Sequence, residues 1–381
     1  MGDTASRNAR PYRTAAADLC TLLWNDASAR IAQVPPASSP LHDPQAARRV
    51  LALAVRSKLG DVLAAILSRA SHGEIAADAR AWAIERKRRT MICNSAALRG
   101  IEWADGPLRS RGIAYAVMKG PIQQHMLHGD YFTRPSGDID LLVAAGDFAA
   151  AQDVLMDAGF ARVPPAPSLW WDRFLGERHF VREGEVRMVF DLHHRLQQPG
   201  SPQPRSSRAF LDRAEAHSLS GRRIAAISAG DVPLLCAMSL VKALFNREPA
   251  GNHAFDLMAA LRSGREGAAD RFLERAKEED LEGTARLALT LVASLFPDLA
   301  TPRTGALPEI SPETLRAMVL DPDSVADWPR RRRVLSEACL RSPWRTAREF
   351  AWLGASEATR WMEERRNGTG RLSPAPEGSA G

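Results

Sequence analysis

Apolar residues recur every three to four positions through "PQAARRVLALAVRSKLGDVLAAILSRA", so residues 43–104 read as helical, as do residues 14–32; "VPPASSPLHDP" separates the two segments. The pattern changes near Gly106. "GIAYAVMKG" is a short apolar run closed by glycine and predicts a strand at Ile113–Met118. Pro121 is placed to open a short helix and Gly129 to end it. A second apolar run predicts a strand at Ile139–Val143, and Asp147–Ala158 reads as a helix closed by Gly159. In "HFVREGEVRMVFDLHHRL" two alternating runs hinge on Glu183-Gly184, a hairpin with strands at His179–Arg182 and Val186–His193. "QQPGSPQPRSS" reads as a linker and "RRIAAIS" as an edge strand. From "AGDVPLLCAMSLVKALF" onward the spacing is helical again, with Asp231 as the expected N-cap. A proline-rich break covers Pro297 to Pro312, and "SPAPEGSAG" is expected to be a disordered tail. No internal repeat is visible. The expected plan is an N-terminal helical region (1–105), a central unit of strands and helices (106–228), a C-terminal helical region (229–366) and a tail (367–381).

Composition narrows this only a little. The 381 residues are 45% hydrophobic and 25% charged, which suits a globular chain and is too apolar for a disordered one. The net charge of +6 permits a polyanionic partner such as a nucleotide, RNA or an anionic surface without requiring one, because the arginines are scattered as well as clustered. Cys20, Cys93, Cys236 and Cys339 lie far apart, which argues against a structural zinc and against a disulfide framework and fits a reducing cytoplasm. No stretch approaches the roughly 20 apolar residues that a membrane span needs, and "MGDTASRNARPYR" lacks the apolar segment of a secretory signal. The expectation is a cytoplasmic protein without a membrane span.

The chemistry gathers at "RPSGDIDLLV". Side chains two apart on a strand share a face, so Asp138 and Asp140 project together. Adjacent carboxylates raise each other's pKa. A divalent cation removes that cost, and Mg²⁺ suits one or two carboxylates together with substrate phosphates. The spacing alone is weak: Asp321-Pro322-Asp323 repeats it in a turn-like setting without an apolar flank and reads as a solvated loop. The first pair has better company. Asp191 ends another apolar run, Lys119-Gly120 closes a strand where a helix begins, and Arg134, Ser136 and Gly137 stand immediately before the acids.

This succession of a strand, Lys119-Gly120, a short helix, "RPSGDIDLLV" and a later Asp191-Leu192-His193 resembles the DNA polymerase β-like nucleotidyltransferase superfamily. More closely, it resembles the bacterial family known as uncharacterised nucleotidyltransferases. The likeness is specific over about residues 110–195 and extends more weakly to Asp256-Leu257. It implies an α+β fold: a polymerase β-like core of mixed sheet and helices, flanked by helical regions. It also implies two Mg²⁺ ions held by Asp138, Asp140 and Asp191, with an NTP, ATP among the candidates, as substrate. Lys119, Gly120, Arg134, Ser136, Gly137 and His193 would contact the nucleotide. The implied reaction moves an NMP to a hydroxyl acceptor, with a small molecule or peptide favoured. The alternatives are a toxin-like tRNA nucleotidyltransferase and an inactive nucleotide-binding regulatory module. The family helix after Asp231 often carries a histidine where this chain has Lys242.

Other polar and aromatic residues have plainer readings. His193 and His194 alternate faces, so at most one looks into the site. His128 suits the C-terminal end of its short helix. Trp170-Trp171 read first as core or lid and second as a base-stacking pair. The run Arg330–Arg333 reads first as a solvated helix face and second as a nucleic-acid contact.

Overall fold

The computed structural model describes residues 14–27, 43–69, 77–263, 267–302 and 304–367. The expected helical residues 28–32 and the expected tail beyond residue 367 lie outside them. In chain order the helices preceding the sheet are α1 (residues 14–27), α2 (Pro44–Arg56), α3 (Gly60–Leu67) and α4 (Ala77–Ser110). The central unit runs β1 (Tyr115–Val117), α5 (Pro121–His128), β2 (Ile139–Val143), α6 (Phe148–Asp157), β3 (Ala161–Val163), a π-helical turn (Trp170–Leu175), β4 (Glu177–Arg182), β5 (Met188–His193), α7 (Ser207–Asp212), β6 (Glu215–Leu219) and β7 (Arg222–Ala226). The chain continues through α8 (Val232–Asn246), α9 (Gly251–Ser263), α10 (Ala268–Glu278), α11 (Glu282–Leu295), α12 (Pro312–Leu320), α13 (Arg331–Ala338) and α14 (Pro343–Asn367).

Among the described residues the strands form one seven-stranded sheet in the order β3-β4-β5-β2-β1-β7-β6. It is mixed: β2 pairs parallel with β5, β1 parallel with β7, and the other neighbours antiparallel. This is the α+β architecture expected of a nucleotidyltransferase core with flanking helices. Period-two alternation splits the sheet into two faces. On one face Tyr115, Val117, Ile139, Leu141, Val143, Phe180, Phe190 and Leu192 join a core with α4 and α6. Phe180 and Phe190 are fully buried there, each contributing about 1.5–3 kcal/mol of transfer free energy. Helix α4 approaches closely because Gly100 has no side chain: a Cβ there would lie 2.5 Å from Ile139 Cδ1 and 2.9 Å from Met188 Sδ.

On the opposite face, Ala116, Met118 and Leu142 join a larger core that also takes in α1–α3 and α8–α13. The two helical regions, far apart in sequence, therefore share one apolar interior. None of the described helices is long and apolar enough to cross a membrane.

Several boundaries differ from the sequence pattern. The stretch expected to be helical over residues 43–104 contains a break at Ser57–Leu59, where Lys58 takes φ 59° and the Ser57 carbonyl accepts from Gly251 N at the start of α9. Helix α4 runs past Gly106 and through Pro107 to Ser110. Strands β3 and β6 were not anticipated, and β6 takes the edge that was assigned to β7. Asp231 precedes α8 but makes no side-chain cap. Its fully buried carboxylate instead accepts from Arg213 Nε at 2.8 Å and from Ser228 Oγ at 3.0 Å, a charged pairing that outcompetes the local one.

Candidate active site

Strand pairing builds the site. In the parallel β2–β5 pair, Asp140 stands opposite Asp191, and in the antiparallel β4–β5 pair His179 stands opposite Asp191. Two residues along, Glu177 stands opposite His193. Alternation puts all of these side chains on one face, away from the Phe180–Phe190 core. One donor atom from each of Asp140, Asp191 and His193 lies within 4.8 Å of the others. His193 Nε2 is 3.1 Å from Asp140 Oδ1, His193 Nδ1 is 3.5 Å from Glu177 Oε2, and His179 Nδ1 hydrogen-bonds Asp191 Oδ1. Asp138 is half-buried at the entrance to β2, and its charge acts on His179.

Cations hold Asp140 in its charged form. Burial pushes the Asp140 carboxyl up, but Lys119, then the His193 hydrogen bond, then Lys242 bring it well below the usual carboxylate range. Burial pushes the His193 imidazole down, and Asp140, Glu177 and Asp191 together raise it above its ordinary value. His179 follows the same rule: burial lowers it, and its bond to Asp191, with the charges of Asp191, Glu177 and Asp138, raises it.

The loop that delivers Asp138 is tied down from behind. Asn94, fully buried in α4, donates from Nδ2 to the carbonyls of Tyr131 (2.6 Å) and Arg134 (2.9 Å) and accepts from Ser136 N at 2.8 Å. Gln124 of α5 accepts from Thr133 N (3.0 Å) and Arg134 N (2.9 Å) and donates to Ser136 Oγ at 3.2 Å. The loop thereby passes the start of α5, where Gly120 has φ 80° and a Cβ would sit 3.4 Å from Ser136 Oγ. Gly120 and Ser136 thus share one corner with half-buried Lys119, while Gly137 is exposed.

Arg134 points elsewhere. Its Nη2 lies 2.6 Å from Asp256 Oδ2 and its Nη1 donates to Asp256 Oδ1 at 2.7 Å, while His128 Nε2 meets the same Oδ1 at 2.9 Å. What the geometry shows for Arg134 is a buried ion pair between the loop and α9. Asp130, earlier in the same loop, is bound by Lys87 Nζ at 2.8 Å. His128, expected to need only its helix end, has Asp256 as a direct partner.

A family model described as "Uncharacterised nucleotidyltransferase" matches residues 43–297. The chain belongs to this nucleotidyltransferase family. No curated protein matches the sequence. The matched span contains all three acids, the loop anchors and Asp256, and stops before α12. Nucleotidyltransferases generally use a divalent metal, and the donor set fits one. Hard carboxylate oxygens predominate, and Asp140 remains anionic despite its burial.

The sequence pattern missed Glu177, His179, Asn94 and Gln124. Starting the β4 strand at His179 left Glu177 outside it, although Glu177 and His179 share the polar face of that alternation. The tryptophan pair is core: Trp170 and Trp171 are 4% and 2% exposed, Trp170 Nε1 donates to Ser356 Oγ of α14 at 3.0 Å, and Trp171 meets the His179 ring edge-on at 4.9 Å. Within the arginine run, Arg331 lies over the Phe245 ring and Arg333 pairs with Glu309 and Glu337.

Proposed function

We propose that the protein transfers an NMP from an NTP to a hydroxyl acceptor, a small molecule or peptide, in the cytoplasm. The observation that carries this reading is the facing of Asp140 and Asp191 on adjacent parallel strands, with Asp138 two residues before. Asp138, Asp140 and Asp191 would hold Mg²⁺, which when bound lowers the pKa of the attacking hydroxyl and neutralises the departing pyrophosphate. Lys119 supplies fixed positive charge beside the acids, and backbone N–H groups at Gly120 and Gly137 with the Ser136 hydroxyl supply donors for phosphate oxygens. Arg134 contributes by holding the loop through Asp256. The acceptor hydroxyl gives its proton to solvent as its oxygen attacks the α-phosphorus, the bond to the bridging oxygen breaks, and pyrophosphate leaves; no covalent enzyme intermediate is needed.

Within the arginine run, Arg331 and Arg333 are engaged within the fold, which favours the small-molecule or peptide reading over an RNA acceptor. Four carboxylates kept together on one face argue against a purely regulatory copy. The test incubates the protein with Mg²⁺, each labelled NTP and a cell extract, and follows both pyrophosphate release and the fraction that takes up label. Label in a small-molecule or peptide fraction supports the proposal. NTP binding without pyrophosphate release would establish the regulatory reading instead, and label in RNA would establish the tRNA reading.

A further inference from the structure

His193 is placed as a metal ligand is placed rather than as a nucleotide contact. Its Nε2 faces Asp140 Oδ1 at 3.1 Å, inside the group of donor atoms that Asp140, Asp191 and His193 bring within 4.8 Å of one another. Its Nδ1 faces Glu177 Oε2 at 3.5 Å, from a carboxylate directly opposite it in the β4–β5 register. A carboxylate behind one ring nitrogen fixes the orientation of the other, the arrangement that aligns histidines on metal ions. Both side chains are nearly buried, at 11% and 13% exposure, so the ring has little freedom to turn away. Donors bound to one ion at about 2.1 Å sit roughly 3.0–3.4 Å apart, and the three donor atoms here already lie within 4.8 Å of one another.

We infer that Asp140, Asp191 and His193, with Glu177 as the positioning residue behind His193, form a two-carboxylate, one-imidazole site that prefers a first-row transition ion such as Mn²⁺ over Mg²⁺. The chemistry follows from ligand type. Imidazole nitrogen binds first-row transition ions well, whereas Mg²⁺ holds to oxygen and to its own waters. The inference rests on the transferase reading and refines it by adding a nitrogen ligand to the acids that would hold the metal.

The experiment uses the full chain and Mn²⁺ alone, without nucleotide. Pulsed EPR of bound Mn²⁺ should show ¹⁴N coupling that His193→Leu removes and His194→Leu retains, because His194 is bonded to the Asp172 carbonyl instead. Glu177→Gln should weaken Mn²⁺ binding about 10–100-fold while leaving Mg²⁺ binding within about threefold, and wild type should hold Mn²⁺ at least about tenfold tighter than Mg²⁺. Far-UV circular dichroism establishes that each variant is folded. Absence of ¹⁴N coupling in the wild type, its loss in His179→Leu in place of His193→Leu, or equal affinity for the two ions would overturn the inference. Because no turnover is read, a protein that released no pyrophosphate from any NTP would sink the transferase proposal and leave this result standing or falling separately.

Discussion

Asp256→Asn tests the ion pair that joins the Asp138 loop to α9. The carboxylate is 2% exposed and receives two guanidinium nitrogens at 2.6 and 2.7 Å and His128 Nε2 at 2.9 Å; Arg134 is itself only 16% exposed. Asparagine keeps the shape, but it removes the charge and turns an NH₂ towards one of the two Arg134 donors. The guanidinium is then an uncompensated buried cation, a situation that costs about 3–5 kcal/mol. Some hydrogen bonding survives, so the expected loss is near 3 kcal/mol. With an m-value of about 3 kcal/mol/M, the urea midpoint should fall by about 1 M in unfolding followed by far-UV circular dichroism. Removing both charges in Arg134→Met with Asp256→Leu should recover most of that loss, because an apolar pair strands no ion. The reasoning fails if the single variant loses less than about 1 kcal/mol, or if the double variant is no more stable than the single one.

The same pair fixes a pH dependence. Burial would raise the Asp256 carboxyl, but Arg134 and His128 hold it well below the usual range. A depressed folded-state pKa stabilises the fold fully above the unfolded value of about 3.9, and that stability is lost as pH falls through the folded value. The stability gap between wild type and Asp256→Asn should therefore be constant from about pH 5 to 7 and close as the solution is acidified below about pH 4.

Three further perturbations separate chemistry from scaffolding. Asp140→Asn should lower NMP transfer about a hundredfold or more while far-UV circular dichroism still shows a folded protein; retained turnover would remove Asp140 from the site. Gly100→Val should destabilise by about 1–3 kcal/mol through the clash with Ile139 and Met188, and should also impair transfer by moving β2; a neutral melting temperature would contradict the close approach. Glu363→Ala removes the acceptor of Leu169 N (2.7 Å) and Trp170 N (3.3 Å). Amide exchange over residues 169–175 should accelerate, by about 1–3 kcal/mol in opening free energy, while the β2 and β5 amides keep their protection.

The strand that carries the acids was legible to the residue: an apolar run bounded by Ser136-Gly137 before and Gly146 after has few other conformations open to it, and it forms β2 at Ile139–Val143. Asp191 was legible for the same reason at the end of β5. Strands β3 and β6 carry mostly exposed side chains, so they leave no alternation to read. Asn94 lies in the middle of a helix, where a polar residue usually faces water. Only the fold reveals that it sits under a loop some 40 positions later. Asp231 had the right residue type at the right place for a cap, but Arg213 claims it, and that competition is tertiary.

The site is also less local than its motif. The charges that keep Asp140 ionised come from Lys119, between β1 and α5, from His193 on β5, and from Lys242 on α8. The loop that sets Asp138 is held by Asn94 on α4, Gln124 on α5 and, through Arg134, Asp256 on α9. These contributors all fall within residues 43–297, the span the family model recognises. Helices α8 and α9 are thus tied to the acid row and its loop, because α8 carries Lys242 and α9 carries the Asp256 that anchors Arg134. By contrast, α14 packs on the π-helical turn, where Trp170 donates to Ser356 and the neighbouring Trp171 meets His179. It lies beyond the matched span and braces the turn from which Trp171 meets His179.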